Sequence, residues 1–220
     1  MTLADQLFER FCARVGIKAT PIPTGGKKTP DYRLSVTGQE VIAEVKQLDP
    51  NDEEKADLAK FTKGVGSGYW AVPGNRVRRE LSKANTQLAT LAKGRCPALV
   101  VVYNNVFLCF HTDPYNVRVG MYGVEQVVVA VSGDANVSPQ YVGLKFGPKR
   151  KMTPEHNTTI SAVGVLTLNP PGDLQSPQLI VYHNVYARQP LYPELLRPYG
   201  ILQFTLPRGS PNASRDWTAV

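Results

Sequence analysis

Two acids and a lysine carry the first chemical signal in this chain. In "TPDYRLSVTGQEVIAEVKQLD", residues 29–49, Asp31 follows a proline and Glu44 stands two residues before Lys46. Both acids lie in runs that alternate as strands do, with Tyr32, Leu34 and Val36 on one face of the first and Val41, Ala43 and Val45 on one face of the second. The connection is short and contains Gly38, which predicts an antiparallel hairpin; a turn centred on Thr37-Gly38 pairs residues whose numbers sum to 75. Asp31 then stands opposite Glu44, and Lys46 lies beside Glu44 on the face away from the apolar one. Two carboxylates roughly 5 Å apart across a ladder repel unless a cation sits between them. Carboxylate oxygens beside a lysine suit a hard, oxygen-seeking ion such as magnesium, which keeps several waters and commonly contacts substrate phosphates. The plainer reading, a solvated strand face with a cross-strand ion pair, leaves the two opposed acids unexplained.

The flanking elements must hold this hairpin in place. Leu3, Leu7, Phe11 and Val15 recur at helical spacing, with Asp5, Glu9 and Arg10 off that stripe and Gly16 as a stop. Residues 49–75 read as a turn, a short charged helix and a glycine-rich stretch whose Tyr69 and Trp70 serve either as loop anchors or as stacking groups. A second helix is predicted from Arg76 to Lys93, burying Val77, Leu81, Ala84, Leu88 and Leu91 and ending at Gly94. Its flank carries Arg76, Arg79, Lys83 and Gln87 in one row. "PALVVVYN" has the continuous apolar character of a central strand, and "NNVFLCFH" is expected as its hairpin partner. Strands dominate thereafter, the best being "VEQVVVAVSG", "SAVGVLTL" and "QLIVYHNVYA".

Composition bounds the classes. The 220 residues, 42% of them hydrophobic, suit one elaborated domain over residues 1–210, with a core in about 2–103, a strand-rich elaboration over 104–210 and a polar, frayed tail at 211–220. A formal charge of +7 points to an acidic partner, nucleic acid being the commonest. Between Lys60 and Arg95 eight Lys or Arg face a single acid, Glu80, so Lys60, Lys63, Arg76, Arg79, Lys83 and Gln87 are candidates for phosphate contact. Cys12, Cys96 and Cys109 lack CxxC spacing, and His111, His156 and His183 form no metal-binding pattern, which argues against a disulfide framework or a zinc site. The amphipathic N-terminus carries charge throughout, so the expectation is a cytoplasmic protein with no membrane span.

The order of a helix with Glu9, then Pro30-Asp31, then Glu44-Val45-Lys46, then a helix and an apolar strand resembles the PD-(D/E)XK nuclease superfamily, also called restriction-endonuclease-like, over residues 2–103. The resemblance implies an α/β fold with an αβββαβ core around a mixed central sheet, here elaborated by additional C-terminal strands. It implies that Asp31 and Glu44 bind magnesium, with manganese as a substitute, and that the Val45 carbonyl is a further ligand. Lys46 would position or activate the attacking water, and Glu9 would be the first-helix acid that supports the metal. Gln47, polar on an otherwise apolar strand face, is expected as a neighbour of the site. The Gln-x-x-x-Tyr motif of the exonuclease and helicase-associated branches is absent, since Leu91 stands four residues after Gln87. The expected function is thus a metal-dependent nuclease, an endonuclease among the options, acting on DNA more readily than on RNA and compatible with a homodimer. The alternatives are a catalytically inactive nucleic-acid-binding or assembly protein on the same fold, and a globular protein whose charges serve solubility alone.

Overall fold

A computed structural model describes residues 1–23, 25, 28–64, 72–106, 110–207 and 217–220. Tyr69, Trp70 and Cys109, and most of the expected tail, lie outside the described residues. An eight-stranded mixed sheet organises the chain, with helices on both faces. Among the described residues no helix is long and apolar enough to cross a membrane.

Helix α1 (Leu3–Val15) opens with a capping box between Thr2 and Asp5 and closes at Gly16, whose φ of 80° gives the left-handed turn that glycine adopts without strain. It buries Ala4, Leu7, Phe8, Phe11 and Cys12, a stripe that keeps Leu7 and Phe11 at its centre and leaves Leu3 and Val15 partly buried. Burial, with the nearby Glu9 charge, pushes the Cys12 thiol up to about 12, so it behaves as a small hydrophobe. Strands β1 (Lys18–Pro21), β2 (Tyr32–Val36) and β3 (Gln39–Leu48) follow as an antiparallel meander. The β2–β3 register pairs Tyr32 with Ala43, Leu34 with Val41 and Val36 with Gln39, as the sum rule requires. Thr37 and Gly38 form the two-residue turn, both at positive φ (46° and 82°), the conformation that matches the twist of the flanking strands.

Helices α2 (Asp52–Phe61) and α3 (Asn75–Leu88) lead to β4 (Ala98–Asn104), which lies parallel to β3. Helix, three antiparallel strands, two helices and a parallel strand thus succeed one another over residues 3–104, one helix more than the expected core has. Beyond them stand α4 (Pro114–Tyr122), a separate two-stranded sheet of β5 (Glu125–Ala130) and β6 (Gln140–Phe146), then β7 (Ala162–Leu168), β8 (Pro177–His183), the short α5 (Pro193–Leu196), β9 (Leu202–Thr205) and β10 (Thr218–Ala219). The main sheet runs β1-β2-β3-β4-β7-β8-β9-β10.

Three expectations are corrected. β4 has no antiparallel hairpin partner: it pairs parallel with β3 on one side and with β7 on the other, so neither edge is free for the segment after Asn105. Helix α4 was not anticipated; its buried Val117, Met121 and Tyr122 pack on α3 and the sheet. The far end of the expected tail is not frayed, because β10 pairs with β9 and Trp217 packs against Tyr182 at a ring separation of 4.8 Å.

Each face of the sheet carries its own core. α1 covers Tyr32, Leu34, Ala43, Val45, Leu99 and Val101, while α3 and α4 cover Ile42, Leu48, Val100, Val102 and Val163. The α3–α4 approach needs Gly74, which starts α3 at φ 67°; a Cβ there would lie 2.4 Å from the Gly120 nitrogen. Since β3 is central and covered on both sides, its residues 41–45 are all buried, Ile42 and Glu44 included. The expectation that Glu44 occupies a face that does not pack is therefore wrong. Glu44 points into the α3 side of the core.

Candidate active site

The β2–β3 hairpin and α3 bring together the acids and lysine that the sequence singles out. Asp31 immediately precedes β2, and its backbone N–H donates to the Ala43 carbonyl at 3.2 Å. Its side chain accepts from the Val45 N–H at 2.8 Å, so the β3 backbone itself fixes the carboxylate. Glu44 is fully buried, and one of its oxygens, Oε2, finds no donor among the described residues, while the Asp31 carboxyl lies within hydrogen-bonding reach of the Glu44 carboxyl. The other oxygen accepts from Lys46 Nζ. Lys46 also donates to Gln87 Oε1 at 2.9 Å, and Gln87 Nε2 donates to the Thr29 carbonyl at 3.3 Å. Gln87 thereby ties α3 to the lysine and to the chain just before Pro30-Asp31.

The electrostatics follow from this burial. Glu44 has its pKa pushed up to about 7, mainly by loss of water and further by the Asp31 charge, with Lys46 acting in the opposite direction. Asp31 is also raised by burial, against the lowering effects of the Val45 N–H and Lys46. Two neighbouring carboxyls are held above their ordinary range, and Glu44 is poised to exchange a proton for a cation as the pH passes neutrality. The Oε2 of Glu44 finds no donor among the described residues. An orphaned buried acceptor is disfavoured in a core, and a divalent ion is one group that would satisfy it.

Glu9 adjoins this cluster through Tyr32, whose hydroxyl lies within reach of the Asp5, Glu9 and Asp31 charges. It accepts from the Tyr32 hydroxyl at 3.0 Å on the α1 side of the sheet, where Tyr32 also packs edge-on against Phe8. The α1 acid whose charge raises Asp31 is Asp5, one turn earlier, which sequence reasoning passed over. Its spacing from Glu9 puts both acids on one helix face, the only sequence signal available. Gln47 projects on the α1 side, as its polarity on an apolar face required: Oε1 accepts from the Ala4 N–H at 2.9 Å and Nε2 donates to Asp49 at 2.7 Å. It anchors the start of α1 to the strand that carries Glu44 and Lys46.

The row on α3 does not form one solvated strip. Arg76 is turned inward, pairing with Glu54 at 3.1 Å and donating to the Asp49 carbonyl. Glu54 is itself buried and meets His111 Nε2 at 2.8 Å, so Glu54, Arg76 and His111 lock α2 onto the start of α3. Gln87, at the other end of the row, is the lysine partner already described. Arg79 and Lys83 remain about half exposed, both paired with Glu80. Lys60 pairs with Asp57 at 3.2 Å on α2, and Lys63 is exposed just past its end. Of the candidate phosphate contacts, four cations are thus available to solvent and two residues are engaged within the fold.

Among the described residues no group of three or more His, Cys, Asp or Glu side chains converges as a metal cage. The cluster offers two carboxylates and a lysine, a set that leaves room for waters and substrate oxygens in the shell of a hard ion. Comparison of the chain with family models, with curated proteins and with solved structures gives no match.

Proposed function

We propose that the chain is a metal-dependent nuclease on a restriction-endonuclease-like core, hydrolysing phosphodiester bonds of nucleic acid, DNA before RNA. The observation that carries this reading is the convergence of Asp31 and Glu44 beside Lys46, with a buried Glu44 oxygen that finds no donor among the described residues and only the Asp31 carboxyl within reach. The succession of helix, antiparallel strands, two helices and parallel strand over residues 3–104 supports it, with α2 as an addition to the expected core, as does the charge of +7. Asp31 and Glu44, with the Val45 carbonyl as a third oxygen, would hold magnesium or manganese. A bound divalent ion supplies Lewis acidity, polarising a phosphoryl oxygen and making a water nucleophilic near neutral pH.

The chain's own groups do the rest. Lys46 presents an ammonium whose direction is fixed by Gln87, placing positive charge where a phosphate gathers negative charge. Gln87 also fixes the carbonyl of Thr29 and so the approach to Asp31. Arg79 and Lys83, half exposed on the helix that carries Gln87, are positioned to hold flanking phosphates.

The alternative, a catalytically inactive binding or assembly protein, draws support from the Lys46–Glu44 pair, which partly neutralises the acid without any ion. The assay that separates them offers purified protein, with magnesium or manganese, single-stranded DNA, duplex DNA and RNA across a range of salt. Cleavage is expected, and its loss in Lys46→Ala and Glu44→Gln. Glutamine is the right replacement for Glu44 because an alanine would open a cavity in the α3-side core. Intact substrates under all conditions would overturn the nuclease reading, and salt-sensitive binding without cleavage would establish the alternative.

A further inference from the structure

β5 and β6 form a ribbon that stands off the body. Its outer edges pair with no other described strand. The base is anchored: Phe146 is buried against Tyr122 at a ring separation of 5.5 Å, and Glu125 meets Arg118 at 3.3 Å. Beyond the base the ribbon has two unlike faces, since residues paired across a ladder share a face. Glu125–Phe146, Val127–Leu144 and Val129–Tyr141 lie on one; Gln126–Lys145, Val128–Gly143 and Ala130–Gln140 lie on the other. The first face continues the buried surface of Phe146 outward through half-buried Leu144 as an apolar strip that the described residues leave open at Val127, Val129 and Tyr141.

That exposure is concentrated. Of the fifteen exposed large hydrophobic residues among those described, six are on this arm, with Val127 58%, Val129 49%, Tyr141 64% and Val142 62% exposed. A lone two-stranded ribbon is only marginally stable in water, and contiguous exposed apolar surface marks a contact site. Nucleic acid is a poor occupant: residues 125–146 carry only Glu125, Asp134 and Lys145 as charges, and Lys145 is on the other face.

We propose that the apolar face of the arm is covered by the same face of a second copy of this chain, two ribbons packing face to face about a twofold axis. Beyond Glu125 at its base the strip is Val, Leu and Tyr, with one bulge at Val142, and such an uncharged surface is its own complement; isologous contact is the commonest way for identical surfaces to close. Size agrees. At roughly 100 Å² of apolar surface per large aliphatic side chain and about 200 Å² for a tyrosine, the exposed fractions of Val127, Val129, Tyr141 and Val142 give about 300 Å² per arm. Interfaces are about 60% apolar, so some 1,000 Å² would be buried in all, the threshold of a specific interface. The dimer is accordingly weak and concentration-dependent, independent of whether the chain is a nuclease.

The test is sedimentation velocity of the full chain, free of nucleic acid, from about 1 to about 200 µM. The average mass should rise from the 24.2 kDa monomer toward twice that value, and do so equally at high salt, because apolar contact is not screened. Val129→Lys combined with Tyr141→Lys, directly opposed across the ladder, should hold the chain monomeric with an unchanged melting temperature. Ala130→Lys, on the other face, should leave the dimer intact. Amide exchange within 125–130 and 140–146 should slow as the wild-type concentration rises, a readout that stands even if the double variant loosens the arm. A wild type that stays monomeric, a double variant that dimerises as well as wild type, or equal loss in Ala130→Lys overturns the proposal.

Discussion

Glu44→Gln should make the metal-free protein more stable above neutral pH while leaving it unchanged in acid. In the wild type the carboxyl ionises near 7 in the folded chain, against 4.5 ordinarily. Below about pH 4.5 the acid is protonated both folded and unfolded and contributes no difference. Between 4.5 and 7 the folded state keeps a proton that the unfolded state releases, so stability falls as pH rises, and the loss is complete above 7. At about 1.4 kcal/mol per pH unit this amounts to ~3 kcal/mol, or roughly 6–12 °C in melting temperature for a chain of this size. Glutamine has no such burden, and its amide oxygen still accepts from Lys46. The assay is urea denaturation of both proteins in chelator at pH 5 and pH 8. Wild type should lose on the order of 3 kcal/mol relative to Glu44→Gln between the two, and magnesium should recover part of that loss at pH 8 in wild type only. Parallel pH profiles for the two proteins would refute the claim that Glu44 is ionised at a cost, and with it the reasoning that a cation belongs there.

Other expectations follow from the same contacts. Gln87→Ala removes the partner of Lys46 and of the Thr29 carbonyl; nuclease turnover should drop about tenfold or more while stability changes by only ~1 kcal/mol, measured side by side. Glu54→Ala removes the acid that Arg76 and buried His111 share and should destabilise the fold by about 3 kcal/mol, with protease sensitivity appearing first in α2. Arg79→Ala with Lys83→Ala should weaken nucleic-acid binding evenly across sequences and reduce the salt slope by about two, as read from titrations at several salt concentrations.

The hairpin was legible because its two strands alternate cleanly and its turn is only Thr37-Gly38, which together leave one register. What alternation does not disclose is whether the second face is covered. Ile42, between Glu40 and Glu44 on the supposed wet face, was the sign that it is, and the buried position of Glu44 follows from it. The run Ala98–Asn104 is apolar on both faces, which already implies two strand neighbours and excludes a hairpin edge. α4 escaped notice because its valines and Gly120 are weak helix formers, although Asp113 at the cap and Pro114 in the first turn favour a start; tertiary burial of Val117 and Met121 decides the matter. The inward turn of Arg76 was hidden for a different reason: its partner Glu54 lies in a helix whose own pattern is that of a solvated surface.

The strand order has a consequence during synthesis. From β1 to β4 and again from β7 to β10, each new strand docks beside the one made just before it, so the sheet can grow as the chain emerges. The exception is the interval after β4, whose next neighbour arrives only when β7 is complete, some sixty residues later. At about 5–20 residues per second, the apolar edge of β4 stays open for about 3–12 seconds. In that window an uncharged Val-rich strand edge is free to pair with another nascent chain, which makes this the step at which chaperone supply or slow translation should govern the yield of folded protein.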